Sequence, residues 1–157
     1  MRIPRIYIET SVFNFVFADD APDKKRDTLK LFDEIKAGLY EPYASVYVLE
    51  ELEQASEPKR TKMLDLLREY KIKTLEADPE AERLADVYVS EGMIPFKYAA
   101  DSQHIAMATV KGMDFIVSLN FKHIVKRKTI EMSEFINYRE GYKKIGIYSP
   151  AEVIDSE

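Results

Sequence analysis

Short apolar runs at residues 5–8, 42–44, 72–75, 115–117 and 145–148 are separated by stretches long enough for one helix or more. Strands joined by hairpins need no such spacing. Parallel strands need a crossover of a dozen or more residues, usually a helix. The alternation therefore predicts an α/β fold: a three-layer α/β/α architecture around a central parallel sheet of about five short strands. No repeat, low-complexity tract or Gly/Ser linker divides the 157 residues, so 1–157 reads as a single domain able to bury a substantial core. With 46% apolar and 32% charged residues the chain should fold rather than stay disordered.

Local signals fill in the helices. Pro22 suits a first turn, Thr28, Phe32 and Ile35 recur at helical spacing, and Gly38 offers a stop, which predicts a helix over 22–37. Ser45 should cap a helix to about residue 55. Further helices are expected over 58–70, 79–91 and 101–111, the last two ended by Gly92 and Gly112. A short helix is expected over 121–126. Residues 129–144 are ambiguous, with a helix or a covering loop over 132–138. Ser149-Pro150-Ala151-Glu152 has capping-box spacing with proline at the first helical position.

In parallel sheets functional groups collect at the carboxyl ends of the strands. Glu9 follows the first strand, Asn120 follows the fourth, and Asp101 opens a helix, where the positive dipole end favours a carboxylate. On a helix from 46 to 55, Glu51 lies on the rim of the apolar face made by Val48, Leu49, Leu52 and Ala55, whereas Glu50 and Glu53 point off it. Taken singly, each of these acids has an ordinary reading as a cap or a solvated face. Together they repel one another unless a divalent cation joins them. The chain has no cysteine and two histidines, so thiolate chemistry is excluded and any metal would be a hard ion on oxygen ligands. His104 reads as a hydrogen-bonded core or rim residue and not as a ligand. Phe13, Phe15 and Phe17 read as core or subunit interface.

These motifs, in this order, resemble the PIN-domain family, including the toxin ribonucleases of VapBC-type toxin–antitoxin pairs. Ile6-Tyr7-Ile8-Glu9-Thr10-Ser11 is similar to the family's opening strand, Ser45 with Glu51-Leu52 to its second motif, Asp101-Ser102-Gln103-His104-Ile105-Ala106 to its third, and Ser118-Leu119-Asn120-Phe121 to its fourth. Ser149-Pro150-Ala151-Glu152 resembles its closing turn. The resemblance spans nearly the whole chain and implies a PIN-like fold and an endoribonuclease that depends on Mg²⁺ or Mn²⁺. It implies that Glu9 and Asp101 ligate the metal directly or through water, and that Glu51 holds a second metal or orients the attacking water. Asn120 would ligate through its amide oxygen or a water, with Thr10, Ser11 and Ser118 in support. The family usually has Asp where this chain has Glu9, and an acid where it has Asn120.

The basic run from Lys122 to Lys128 is ordinarily a solvated face. Beside an acidic pocket, Lys122, His123 and Lys126 become candidate RNA contacts. A net charge of −5 argues against polyanion binding by the whole surface. The resemblance also implies a cognate antitoxin and a homodimer. No apolar run approaches the ~20 residues of a membrane span, and the N-terminus lacks a signal-peptide stretch, so a cytoplasmic location is expected. The alternative is a catalytically weak or inactive PIN-like module for RNA binding or protein interaction, which the neutral Asn120 favours. A receiver-like phosphorylation switch lacks a convincing Asp and Lys pair.

Overall fold

β1 (Arg5–Ile8) carries three consecutive buried residues, Ile6, Tyr7 and Ile8, so it needs cover on both faces and neighbours on both edges. It receives them. The computed structural model describes residues 2–155, and its five strands form one sheet in the order β3-β2-β1-β4-β5, every pair parallel. Tyr7 stands opposite Tyr43 of β2 (Glu41–Ser45) and Ile116 of β4 (Phe115–Val117). β3 (Lys73–Leu75) and β5 (Gly146–Tyr148) form the two edges. Asp114 pins the entry of β1 to that of β4. Its carboxylate accepts from the Arg5 backbone N–H at 2.7 Å and from the Arg2 guanidinium at 2.7 and 3.0 Å.

After β1 come α1 (Thr10–Phe15) and α2 (Pro22–Lys36). α3 (Val46–Glu53) and α4 (Lys59–Glu69) link β2 to β3. α5 (Pro79–Ser90), a 3₁₀ turn (Phe96–Tyr98) and α6 (Ala99–Val110) lead to β4. α7 (Arg127–Arg139) precedes β5, and α8 (Pro150–Val153) closes the described chain. α6 is buried without a break from His104 to Thr109, as a helix enclosed on all sides must be. It packs on the Leu84, Ala85 and Tyr88 face of α5. Tyr88 donates to Asn137 of α7, whose amide donates to Thr109 of α6 at 3.3 Å, so one polar chain joins three helices without orphaning a buried group.

The ends of the predicted elements agree with those observed to within about two residues, apart from three differences. α1 was not anticipated: Val12 and Phe13 bury it against the core, although β-branched and aromatic residues are poor helix formers. The expected helix over 121–126 is a series of turns. The Asn120 carboxamide oxygen accepts the His123 N–H at 3.0 Å and the Asn120 carbonyl accepts from Ile124 and Val125, which closes the backbone on itself. The ambiguous 129–144 stretch is mostly α7, because Thr129, Ser133, Ile136 and Asn137 form one buried stripe at helical spacing. Phe13 lies in the core, edge-on to Phe32, while Phe15 and Phe17 pack on its margin. Among the described residues no helix is long and apolar enough to cross a membrane.

Candidate functional site

The sheet order reverses direction at β1. The chain builds outward through β2 and β3, then returns to place β4 on the other side of β1. Such a reversal leaves a crevice past the strand ends, because the connections on the two sides depart in opposite senses. Glu9 occupies it. The residue is 4% exposed, and its backbone N–H donates to Val117 O at 3.0 Å, which continues the β1–β4 pairing.

One oxygen of Glu9, Oε1, accepts from Ser11 Oγ at 2.5 Å and from Ser118 Oγ at 2.6 Å. Those hydroxyls in turn accept from the backbone N–H groups of Leu119 (2.8 Å) and Asn120 (2.9 Å). The carboxylate is thus fixed from α1 and from the residue that follows β4. Ser118→Ala should cost about 1–3 kcal/mol of stability in urea unfolding, since it strips a charged hydrogen bond from a buried acid and a partner from the Asn120 N–H. An unfolding midpoint like wild type would show that the bond carries no such weight.

Glu51 extends from α3 into the same crevice and is half-buried. Its Oε1 accepts from Thr10 Oγ1 at 2.8 Å and faces His104 Nε2 at 2.5 Å. The other ring nitrogen, Nδ1, lies 2.6 Å from the Tyr7 hydroxyl, which lies 2.7 Å from Ser45 Oγ. Ser45 Oγ also accepts the Tyr47 N–H at 3.2 Å and so caps α3. With a neutral imidazole every proton has a place: Ser45 donates to Tyr7, Tyr7 to Nδ1, and Nε2–H to Glu51. With an imidazolium, the Tyr7 and Ser45 hydroxyls rotate and the first two bonds reverse direction. The chain accommodates both states.

Electrostatics favour the charged pair. Burial pushes the His104 imidazolium down, but the Glu51 hydrogen bond and the charges of Glu9, Glu51 and Asp101 outweigh it and raise its pKa above the ordinary value. Burial likewise pushes Glu51 up, and His104 and Thr10 bring it below the usual carboxylate range. Asp101, in the first turn of α6, goes the other way. Burial and the charge of Glu9 push its carboxyl up, against smaller opposing effects of His104, a hydrogen bond from Asn120 and His123.

Glu9, Glu51, Asp101 and Asn120 line one cleft of about 590 Å³, together with Thr10, Ser11 and Asn14 and an apolar side of Leu52, Ala55 and Met63. Among the described residues no lysine or arginine lines it. The four strand-end and helix-end residues therefore share one space. They do not form a closed cage, because among the described residues no three Asp, Glu or His side chains meet as a metal-ligating group. The Asn120 side-chain oxygen accepts the His123 N–H, which leaves it one lone pair for any other partner. Lys122 stands over the Tyr98 ring at 5.4 Å, the His123 ring stacks on Tyr98 at 4.1 Å, and Lys126 is the exposed residue before α7. Sequence reasoning missed Tyr7 and Ser45 as supports of Glu51. The available signal was a tyrosine inside an otherwise apolar strand, whose hydroxyl needs a buried partner.

No family model and no curated protein sequence matches the chain. In three dimensions it is similar to a chain in the crystal structure of VapBC2 from Rickettsia felis bound to a DNA fragment from their promoter. The TM-score is 0.52 at 17% identity, over 73% of this chain and 86% of that one. The fold is PIN-like. At this identity the likeness concerns the path of the backbone, and the chemistry of the PIN-like cleft has to be argued from its own side chains.

Proposed function

We propose that the cleft hydrolyses RNA phosphodiester bonds with the help of Mg²⁺ or Mn²⁺, and that the chain is the toxin of a toxin–antitoxin pair. One observation carries the reading. Glu9 and Asp101 share a cleft that, among the described residues, no lysine or arginine lines, and Asp101 is held away from its ordinary ionisation partly by the charge of Glu9. A hard cation between them would remove that repulsion. The donor set fits: two carboxylates and neighbouring hydroxyls are oxygen ligands, and so few protein ligands suit an ion that keeps several waters.

In this reading Glu9 and Asp101 hold the ion. When bound, it supplies charge neutralisation at the scissile phosphate and activation of water. Ser11 and Ser118 fix Glu9 through one oxygen, Oε1, and make no bond to the other, Oε2. Glu51, held by Thr10 and His104 through Oε1, orients the attacking water with its second oxygen and accepts its proton. The Asn120 amide holds Asp101 in place. Lys122 and Lys126 bind the flanking phosphates, with His123 fixing the turn that carries them. The reading brings with it a cognate antitoxin that covers the cleft, a homodimer and a cytoplasmic location.

The test is cleavage of RNA in Mg²⁺, in Mn²⁺ and in EDTA, with Glu9→Gln as the control and Mn²⁺ titration by calorimetry alongside. Metal-dependent cleavage that disappears in Glu9→Gln supports the reading, and equal cleavage in EDTA overturns it. A second reading, a non-catalytic module for RNA or protein binding, is favoured by the neutral Asn120 and by the absence of a three-ligand group among the described residues. It predicts neither Mn²⁺ heat at millimolar metal nor cleavage.

A further inference from the structure

We infer that the cleft contains a nucleobase pocket in which the carboxamides of Asn14 and Gln54 select adenine. The inference deepens the hydrolase reading, since it names the base that sits beside the reacting phosphate. The pocket itself is tested without catalysis.

The lining of the cleft divides by chemistry. Apart from the acids, Asn120 and the hydroxyls that support Glu9 and Glu51, it consists of Asn14, Gln54, Leu52, Ala55 and Met63. Asn14 lies four residues after Thr10 on α1, and Gln54 caps the end of α3 three residues after Glu51. Residues three or four apart on a helix share a face. Each amide therefore stands one turn, about 5.4 Å along its helix, from the Thr10–Glu51 hydrogen bond. Among the described residues neither side-chain amide is bonded to another protein group, although both line the cleft. Leu52 is 1% exposed and Met63 3%, so the apolar wall is held by the core and is already formed before a ligand arrives. Ala55, packed on the margin of that core, keeps the space beside the wall open.

One free carboxamide at a surface is ordinary. Two of them at a fixed apolar wall define a ligand: flat, uncharged and edged with donors and acceptors. A cation finds no oxygen on Leu52, Ala55 or Met63. A nucleobase finds a wall for its face and amides for its edges. Adenine matches them best. Its N6 carries two hydrogens and stands between the acceptors N7 and N1, so two of its edges each pair a donor with an acceptor. A carboxamide fits each edge, its oxygen accepting from N6–H and its NH₂ donating to the ring nitrogen. Guanine presents two acceptors, O6 and N7, which call for arginine or lysine, and among the described residues neither lines the cleft. Cytosine calls for an acid, and the Oε1 of Glu51 is taken by Thr10 and His104. Uracil has no exocyclic amine to offer either amide oxygen.

Nucleosides lack the phosphate, so titrating adenosine, guanosine, cytidine and uridine into the protein in EDTA reads the pocket apart from metal and cleavage. In NMR spectra the side-chain NH₂ signals of Asn14 and Gln54 should shift with adenosine. Adenosine should bind about 5- to 150-fold more tightly than the pyrimidine nucleosides, the range that one bidentate base contact supplies. Asn14→Ala and Gln54→Ala should each reduce that preference about fivefold or more. Ala55→Leu, which fills the pocket and leaves both amides, should abolish adenosine binding, and matched melting curves check that the variants fold. Equal binding of the four nucleosides, no adenosine binding by wild type at millimolar concentration, or undiminished binding by Ala55→Leu would overturn the inference. Adenosine selection without cleavage in any metal leaves the pocket standing and removes the hydrolase. Metal-dependent cleavage without adenosine binding does the reverse.

Discussion

Asp101→Asn should abolish metal-dependent RNA cleavage while making the metal-free protein more stable. The carboxylate of Asp101 is half-buried and faces the charge of Glu9, and both raise its pKa. An acid whose pKa is higher in the fold than in the unfolded chain destabilises the fold wherever it is ionised. The penalty is complete above the folded pKa and vanishes below the ordinary 3.8. Asparagine removes the charge, keeps the shape, and can still accept the hydrogen bond from Asn120. The melting temperature in EDTA should therefore exceed that of wild type at neutral pH, and the difference should close as pH falls toward 3.8. Loss of an outer partner of a metal ligand costs about 10–100-fold in affinity or activity, so under the proposed role of Asp101 as a ligand its loss should exceed about 100-fold. Calorimetric scans and a cleavage assay on one preparation test both halves. Cleavage within about threefold of wild type would remove Asp101 from the chemistry. A lower melting temperature in EDTA would show that the carboxylate is a structural asset and not a strained site.

His104→Ala should be among the most damaging substitutions available outside the apolar core. The imidazole is buried and holds the Glu51 carboxylate on one side and the Tyr7 hydroxyl on the other. Its removal leaves a cavity, a buried Tyr7 hydroxyl with Ser45 as its one remaining partner, and a half-buried carboxylate without its counter-charge. Breaking a buried pair from one side costs about 3–5 kcal/mol, which for a chain of this size lowers the melting temperature by about 10 °C. The pH dependence identifies the pair. His104 has a raised pKa, so its contribution is complete below the ordinary 6.5 and is lost as pH rises through the folded value. Glu51 has a lowered pKa, so its contribution is complete above the ordinary 4.5 and is lost as pH falls through the folded value. The two act together between 4.5 and 6.5. The gap between wild type and His104→Ala, measured in EDTA, should be widest in that window and narrow on either side. A gap independent of pH would reduce the loss to packing alone.

The strand pattern was readable because burial on both faces leaves a mark in the sequence. Ile6, Tyr7 and Ile8 form an unbroken buried run, and Phe115 to Val117 nearly so. Helix ends were readable where a cap residue announces them, as Ser45 and Ser149 do. α1 was not readable, because its six residues are held by Val12 and Phe13 meeting the core and not by helical preference. The stretch after Asn120 misled for the opposite reason. Lys122, Lys126, Arg127 and Lys128 are good helix formers, but the Asn120 side chain takes the His123 N–H and turns the chain first.

For the site, the sequence by itself determined which residues stand at the strand ends and helix starts, because period and position in a parallel α/β chain are local properties. It also determined that no thiolate and no histidine cluster is available. Only the tertiary structure decided what each of those residues does. Glu51 is held by His104, 53 positions away, and His104 by Tyr7, 97 positions away. Asn120 uses its oxygen in a backbone turn, and Glu9 leans on one serine from α1 and one just past β4. No periodicity encodes such pairings, because hydrogen bonds between distant segments depend on how the sheet and helices close on one another, and that closure is set by the whole core at once.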